Sequence, residues 1–145
     1  MSTKDLKAIM RRVIQAWNNG KAAAMTAIEE TCATDGVFHS ATGEDIHGLK
    51  DLKESMSKFY DAFPDVHHTI DDMIVEGDKI VVRFTYTGTH KGEIAGIPPT
   101  NKKVTVSGID IFRFADDKRV EGWEKFDTLG LMQQLGVLPK PGKGK

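Results

Sequence analysis

A chain of 145 residues, 39% of them apolar, with 20 Lys and Arg against 21 Asp and Glu, is sized for one domain with a packed core. The net charge of −1 leaves no basic excess to neutralise phosphates, so nucleic-acid binding is not expected, and the single Cys32 excludes an internal disulfide framework or a multi-cysteine zinc site. Charges at Lys4, Asp5, Lys7, Arg11 and Arg12 break up any apolar leader, and the longest uncharged run, 128–139, is too short to span a bilayer, so a soluble, cytoplasmic protein without membrane contact is expected. Leu6, Ile9, Met10, Val13, Ile14 and Trp17 recur at helical spacing behind the candidate caps Ser2 and Thr3, and the pattern stops at Asn18-Asn19-Gly20. Lys21 to Glu30 is rich in alanine and predicts a second short helix. Val37-Phe38-His39 reads as a short strand followed by a turn at Thr42-Gly43-Glu44. Leu49, Leu52, Met56, Phe59, Tyr60 and Phe63 mark a third helix ended by Pro64. From Val66 the texture turns β-branched and aromatic, predicting strands over about 66–75, 79–90, 102–114 and 119–127, then a short helix over 129–135. Helices first and an antiparallel meander afterwards make an α+β arrangement, in which a curved sheet around a helix would leave a cavity.

Alternation assigns the chemistry to faces. Val104, Val106, Gly108, Asp110, Phe112 and Phe114 share one face of their strand, and Val120, Gly122, Glu124 and Phe126 share one face of the next. A three-residue loop at 115–117 keeps these two sets together, placing Asp110 opposite Gly122 with Glu124 one diagonal away; a two-residue Asp116-Asp117 turn sets even against odd. In the first register two carboxylates sit among apolar side chains, where burial and mutual repulsion raise their pKa toward useful acid/base values. The competing reading is a solvent-exposed face, or a fixed network with Arg83 or another cation. On the odd face, Ile109, Ile111 and Trp123 form a second apolar cluster that a dimer interface would cover.

Other motifs carry less. His67 and His68 are adjacent in a strand and face opposite ways, and His39, His47 and His90 complete no metal-binding spacing, so no metal is expected. The 136–144 stretch resembles a phosphate loop but lacks the Ser or Thr after its lysine and a following helix. Cys32, between Glu29-Glu30 and Asp35, sits in an acidic setting that disfavours a thiolate. The apolar loop 92–100, with Ile97-Pro98-Pro99-Thr100, is expected to cover a helix, a partner subunit or the rim of a cavity.

The stretches Gly88-Thr89-His90 through Gly96-Ile97-Pro98-Pro99-Thr100, Gly108-Ile109-Asp110-Ile111-Phe112-Arg113-Phe114, Val120-Glu121-Gly122-Trp123-Glu124 and 127–136 together resemble the SnoaL-like polyketide cyclases. The resemblance implies the fold of the nuclear-transport-factor-2-like (cystatin-like) superfamily over 1–138, while the Pro/Gly/Lys composition of 139–145 predicts a disordered basic tail. In that fold a cone-shaped, curved, mixed or antiparallel sheet wraps the N-terminal helices and encloses a pocket, and members dimerise through their sheets. Family members close a polyketide ring by intramolecular aldol condensation with no cofactor or metal, using a carboxylate on the last strand. Glu124 matches that position, where the cyclases carry Asp; Asp110 matches a pocket position where they carry His; Gly122 stands where many relatives have His. The expectation is a homodimeric acid/base enzyme acting on a small apolar carbonyl compound, with Glu124 and Asp110 catalytic and Trp17, Phe38, Phe84, Ile97, Phe112 and Gly122 lining the pocket. A dimeric domain that only binds such a molecule, and epoxide-hydrolase or isomerase chemistry, are the alternatives.

Overall fold

The computed structural model describes residues 3–139; the candidate cap Ser2 and residues 140–145 of the expected tail lie outside the described residues. The elements run α1 (Thr3–Trp17), α2 (Lys21–Thr31), β1 (Cys32–His39), β2 (Asp45–His47), α3 (Gly48–Ala62), β3 (His67–Glu76), β4 (Lys79–Thr89), β5 (Lys103–Ala115), β6 (Lys118–Phe126) and α4 (Thr128–Leu135). The strands form one mixed sheet in the order β2-β1-β6-β5-β4-β3. Strands β3 to β6 are the expected antiparallel meander, and β1 joins it parallel to β6. Register breaks in the β1–β6, β3–β4 and β5–β6 ladders mark where the sheet bends. Gly108 permits a close approach at one such bend: a Cβ there would meet Phe84 Cζ at 2.6 Å and the Lys125 carbonyl at 2.8 Å.

Every apolar residue that set the period of α1 is buried, Leu6 and Met10 completely. That stripe packs on the inner sheet face with Ile80, Val82, Phe84, Val104, Val106, Phe112 and Phe114. The end of α1 is pinned twice. Tyr60 of α3 donates its hydroxyl to the Trp17 carbonyl at 2.6 Å, and the Asn18 amide bridges both backbone groups of His68, at 2.6 and 2.8 Å. These bonds fix where the Trp17 ring sits.

The loop after β4 docks on the C-terminal end of α3, where Lys91 and Gly92 donate their amides to the Ala62 carbonyl. His90 is fully buried, and its Nδ1 accepts the Thr100 amide at 3.2 Å, holding the far end of the loop. The loop therefore covers a helix, and its Glu93, Ile94 and Ala95 also edge a groove, so two of the expected roles coexist.

Candidate active site

The β5–β6 hairpin decides which side chains enter the interior, and it differs from the three-residue register. Ala115 pairs with Lys118 across a two-residue turn, with both Asp116 (φ 49°) and Asp117 (φ 66°) in the left-handed region that this turn type demands. Even therefore meets odd at first, and Phe114 faces Arg119. Val120 is then left without a partner, a bulge that restores parity, so that Phe112 faces Gly122 and Asp110 faces Glu124 directly. Asp110 lies opposite Glu124 rather than Gly122, closer than a diagonal neighbour.

The pair borders a chamber of about 120 Å³, the scale of cavity that holds one benzene-sized ring. Trp17, Phe38, Phe112 and Gly122 line it, together with Ile28, Leu52 and Met56. Phe84 and Ile97 do not. The Phe84 ring lies over Gly108, and Ile97 pairs with Ile94 inside its own loop. Glu124, half-buried, also borders an outer groove of about 820 Å³ formed by 40–46, α3 and the 93–95 segment. Asp110 is only 4% exposed and lies behind it.

Gly122 sets the chamber's floor. A Cβ there would meet Phe38 Cδ1 at 2.8 Å and Phe112 Cδ1 at 2.9 Å, so the two rings fill the space that a side chain would take. Gly122→Ala is expected to cost about 1–3 kcal/mol through overpacking, read by urea denaturation. Phe112→Leu in the same chain is expected to recover part of that loss, because the two sites are in contact.

Burial in this apolar wall raises both carboxyl groups above their ordinary values. Asp110 goes well above, by desolvation first and then by the Glu124 charge beside it. Glu124 rises by desolvation, while the hydrogen bond from Asp110 opposes the rise. A hydrogen bond between two carboxyl groups needs one proton; Asp110, the more deeply buried of the two, is the better placed to hold it, and Glu124, open to the outer groove, to be the ionised acceptor of a pair that titrates together. Among the described residues no cation lies within 4.0 Å of either carboxyl group: Arg83 is on the outer face, 4.0 Å from Asp71. The fixed-network reading with Arg83 does not hold.

Two interior residues escaped the sequence reading. Arg119, which strict alternation from Val120 would place outside, is 2% exposed on the chamber wall. Its cue is the Asp-Asp turn, which puts Arg119 opposite Phe114, followed by a glycine within the strand that hints at a bulge. His68 is buried beside Trp17, ring centroids 5.3 Å apart, and desolvation pulls its imidazole down to about 4. Cys32, by contrast, is buried next to Arg119 and Lys118. Desolvation, not an acidic setting, pushes its thiol up, and those two cations oppose it.

Among the described residues no group of three His, Cys, Asp or Glu side chains is placed to hold a metal, and no helix is long and apolar enough to cross a membrane. A family model described as SnoaL-like polyketide cyclase matches residues 7–135. No curated protein matches the chain. Solved structures do. AclR of Streptomyces galilaeus, a candidate hydroxylase, is 30% identical with a TM-score of 0.84, over 98% of this chain and 87% of its own. TsrD of Streptomyces laurentii is 28% identical with a TM-score of 0.84, over 95% and 99%. IdmH of Streptomyces antibioticus, a candidate polyketide cyclase, is 25% identical with a TM-score of 0.76, over 90% and 98%. A protein of ketosteroid isomerase-like fold from Catenulispora acidiphila, 19% identical with a TM-score of 0.73 over 90% and 93%, shares the architecture.

Proposed function

The chain belongs to the SnoaL-like polyketide cyclase family, and we propose that it is an acid/base enzyme that cyclises, or shifts a proton within, a small, largely apolar polyketide-like carbonyl compound. The observation that carries this reading is the Asp110–Glu124 carboxyl pair, opposed across β5 and β6 at the wall of an apolar chamber. Glu124 takes a proton from a carbon between two carbonyls, and the electron pair passes into the enolate. The enolate carbon attacks a second carbonyl carbon in the same molecule, and the alkoxide formed takes the proton back from Glu124. Asp110 keeps its proton and holds Glu124 in place by hydrogen bonding. The chamber orients one ring while the rest of the chain extends into the outer groove, and orientation supplies much of the acceleration. No step needs a cofactor or metal.

The test is carbon–hydrogen exchange in deuterated water with ethyl benzoylacetate, a single-ring β-keto ester, followed by NMR. Exchange faster than in buffer, saturable in the ester, is expected. Saturable binding with exchange at the buffer rate overturns the enzyme reading in favour of sequestration. Labelled solvent oxygen in a product would instead favour hydration chemistry of the epoxide-hydrolase kind.

The same reading includes a homodimer through the outer sheet face. Ile109 and Ile74 are 44% and 59% exposed there, and Trp123 pairs with Ile111 beside them, an apolar surface suited to a second copy. Ile109→Glu is expected to shift the molecular mass in light scattering from dimer toward monomer. With a free, buried Cys32, the cytoplasm is the compartment that fits.

A further inference from the structure

Removing a proton from carbon leaves an electron pair on the substrate, and an apolar chamber stabilises that charge only if something positive faces it. Arg119 is positive and buried, and its charge bears on Asp110 without a direct ion pair. Among the described residues no carboxylate lies within 4.0 Å of its guanidinium. Its Nη2 donates to Thr31 Oγ1 at 2.8 Å, and its Nε has no partner. Its Cζ lies 4.9 Å from the Phe112 ring centroid and 5.9 Å from that of Trp17. Such cation–π contacts do not replace an anion for a desolvated guanidinium. The Trp17 indole Nε1 is also buried without a partner. Both side chains line the chamber that Asp110 and Glu124 line.

Resting on the acid/base reading, we propose that the N–H groups of Arg119 and Trp17 bind the substrate's carbonyl oxygen and hold it as the enolate oxygen. The preferred substrates are then 1,3-dicarbonyl compounds that present one oxygen to this donor pair and the carbon between the carbonyls to Glu124. Charge balances throughout. Before transfer, the carboxyl pair with one proton carries −1 against +1 on Arg119. The C–H bond breaks, its proton goes to Glu124, and its electron pair moves through the carbonyl to oxygen. The carboxyl pair is now neutral and the enolate carries the −1 in front of Arg119, so the chamber's net charge does not change.

The probe is 4-nitrophenol, a single-ring acid whose oxygen mimics the enolate and whose anion absorbs visible light. The full chain is titrated with it at a pH where the free compound is mostly neutral. The expected result is a phenolate spectrum for the bound ligand. Arg119→Met and Trp17→Phe should each weaken phenolate binding about tenfold or more, the effect of losing a hydrogen bond to a charged group. Arg119→Met removes the bond to Thr31 and the positive charge that faces the carboxyl pair, so it is expected to melt below the parent, and circular dichroism checks that it is folded before binding is read. If it fails to fold, Trp17→Phe, which keeps an aromatic ring, decides alone. Neutral phenol bound in the parent, or phenolate bound equally by the parent and the folded variants, overturns the donor pair. Glu124→Gln separates this from the base assignment. Ester exchange retained in Glu124→Gln, with phenolate binding still dependent on Arg119, removes the base and leaves the donor pair standing. Exchange lost in Glu124→Gln, with phenolate indifferent to Arg119 and Trp17, does the reverse.

Discussion

Glu124→Gln lowers turnover by about 10²- to 10⁴-fold, the usual contribution of a positioned general base, while ligand affinity and melting temperature stay near those of the parent. The amide has the same size and still accepts a hydrogen bond from Asp110, so the chamber wall keeps its shape; what it loses is the ability to take a proton from carbon. Steady-state kinetics on the same β-keto ester checks this, and the loss should fall on kcat rather than KM, because the carboxylate acts on the reacting carbon and not on uniform binding. Unchanged kcat would remove Glu124 from the mechanism. The pH profile carries the same information from another side. Activity needs Glu124 ionised and Asp110 protonated, so kcat/KM rises as the first proton leaves the pair, above the ordinary carboxylate range because burial raises Glu124, and falls again at higher pH when Asp110 ionises.

The second large effect is on stability. His68 is held down to about 4 by burial, against an ordinary value of 6.5. The unfolded chain therefore takes up a proton at His68 that the folded chain refuses, and acidification from pH 6.5 to pH 4 should cost about 3 kcal/mol at this one residue. That is a large part of a domain's stability. The carboxyl pair has the opposite sign. Its raised values mean that the folded chain holds protons better, so its contribution is present below about pH 4 and is lost as pH rises through the folded values. Asp65 and Glu121, held below their ordinary values by Thr89 and His39, weaken the fold only at still lower pH. Urea denaturation at a series of pH values should thus show the parent losing stability between pH 6.5 and 4, and His68→Phe losing far less or gaining. Equal slopes for the two would mean that His68 is not buried as a neutral ring.

Much of this arrangement is legible before any coordinates. The stripe from Leu6 to Trp17 announces a buried helix face, Pro64 stands two residues past the end of α3 at Ala62, and the meander strands fall within a few residues of their expected bounds. Local periodicity and turn chemistry suffice for these. What was not legible depends on distant partners. β2 is three residues, Asp45–His47, on the edge of the sheet, held to β1 by backbone pairing and by Asp45 beneath His39; three residues carry no period. β1 begins at Cys32 and runs through Ala33-Thr34-Asp35-Gly36, a stretch that reads as a loop and lies in the register break between Cys32 and Val37, the two positions that pair with β6 on either side of it. Within the candidate site, Asp110 and Glu124 emerged because carboxylates stand out on an apolar face. Arg119 did not, because its inward position follows from a bulge that alternation cannot register. Phe84 lies on the expected face, yet a glycine on the neighbouring strand draws its ring away from the chamber.

That bulge also has a meaning for how the chain can vary. Val120 is a one-residue phase shift placed between the hairpin tip and the chemistry. On the tip side the parity of the strands is set by the Asp116-Asp117 turn; on the inner side it is set by the bulge. Removing Val120 would leave Phe114 opposite Arg119 and Arg113 opposite Glu121, the pairs that already flank it, so the carboxyl pair stays inside. What the bulge supplies is a change of phase, by which Arg119 and Glu124, an odd and an even position of one strand, both face the interior.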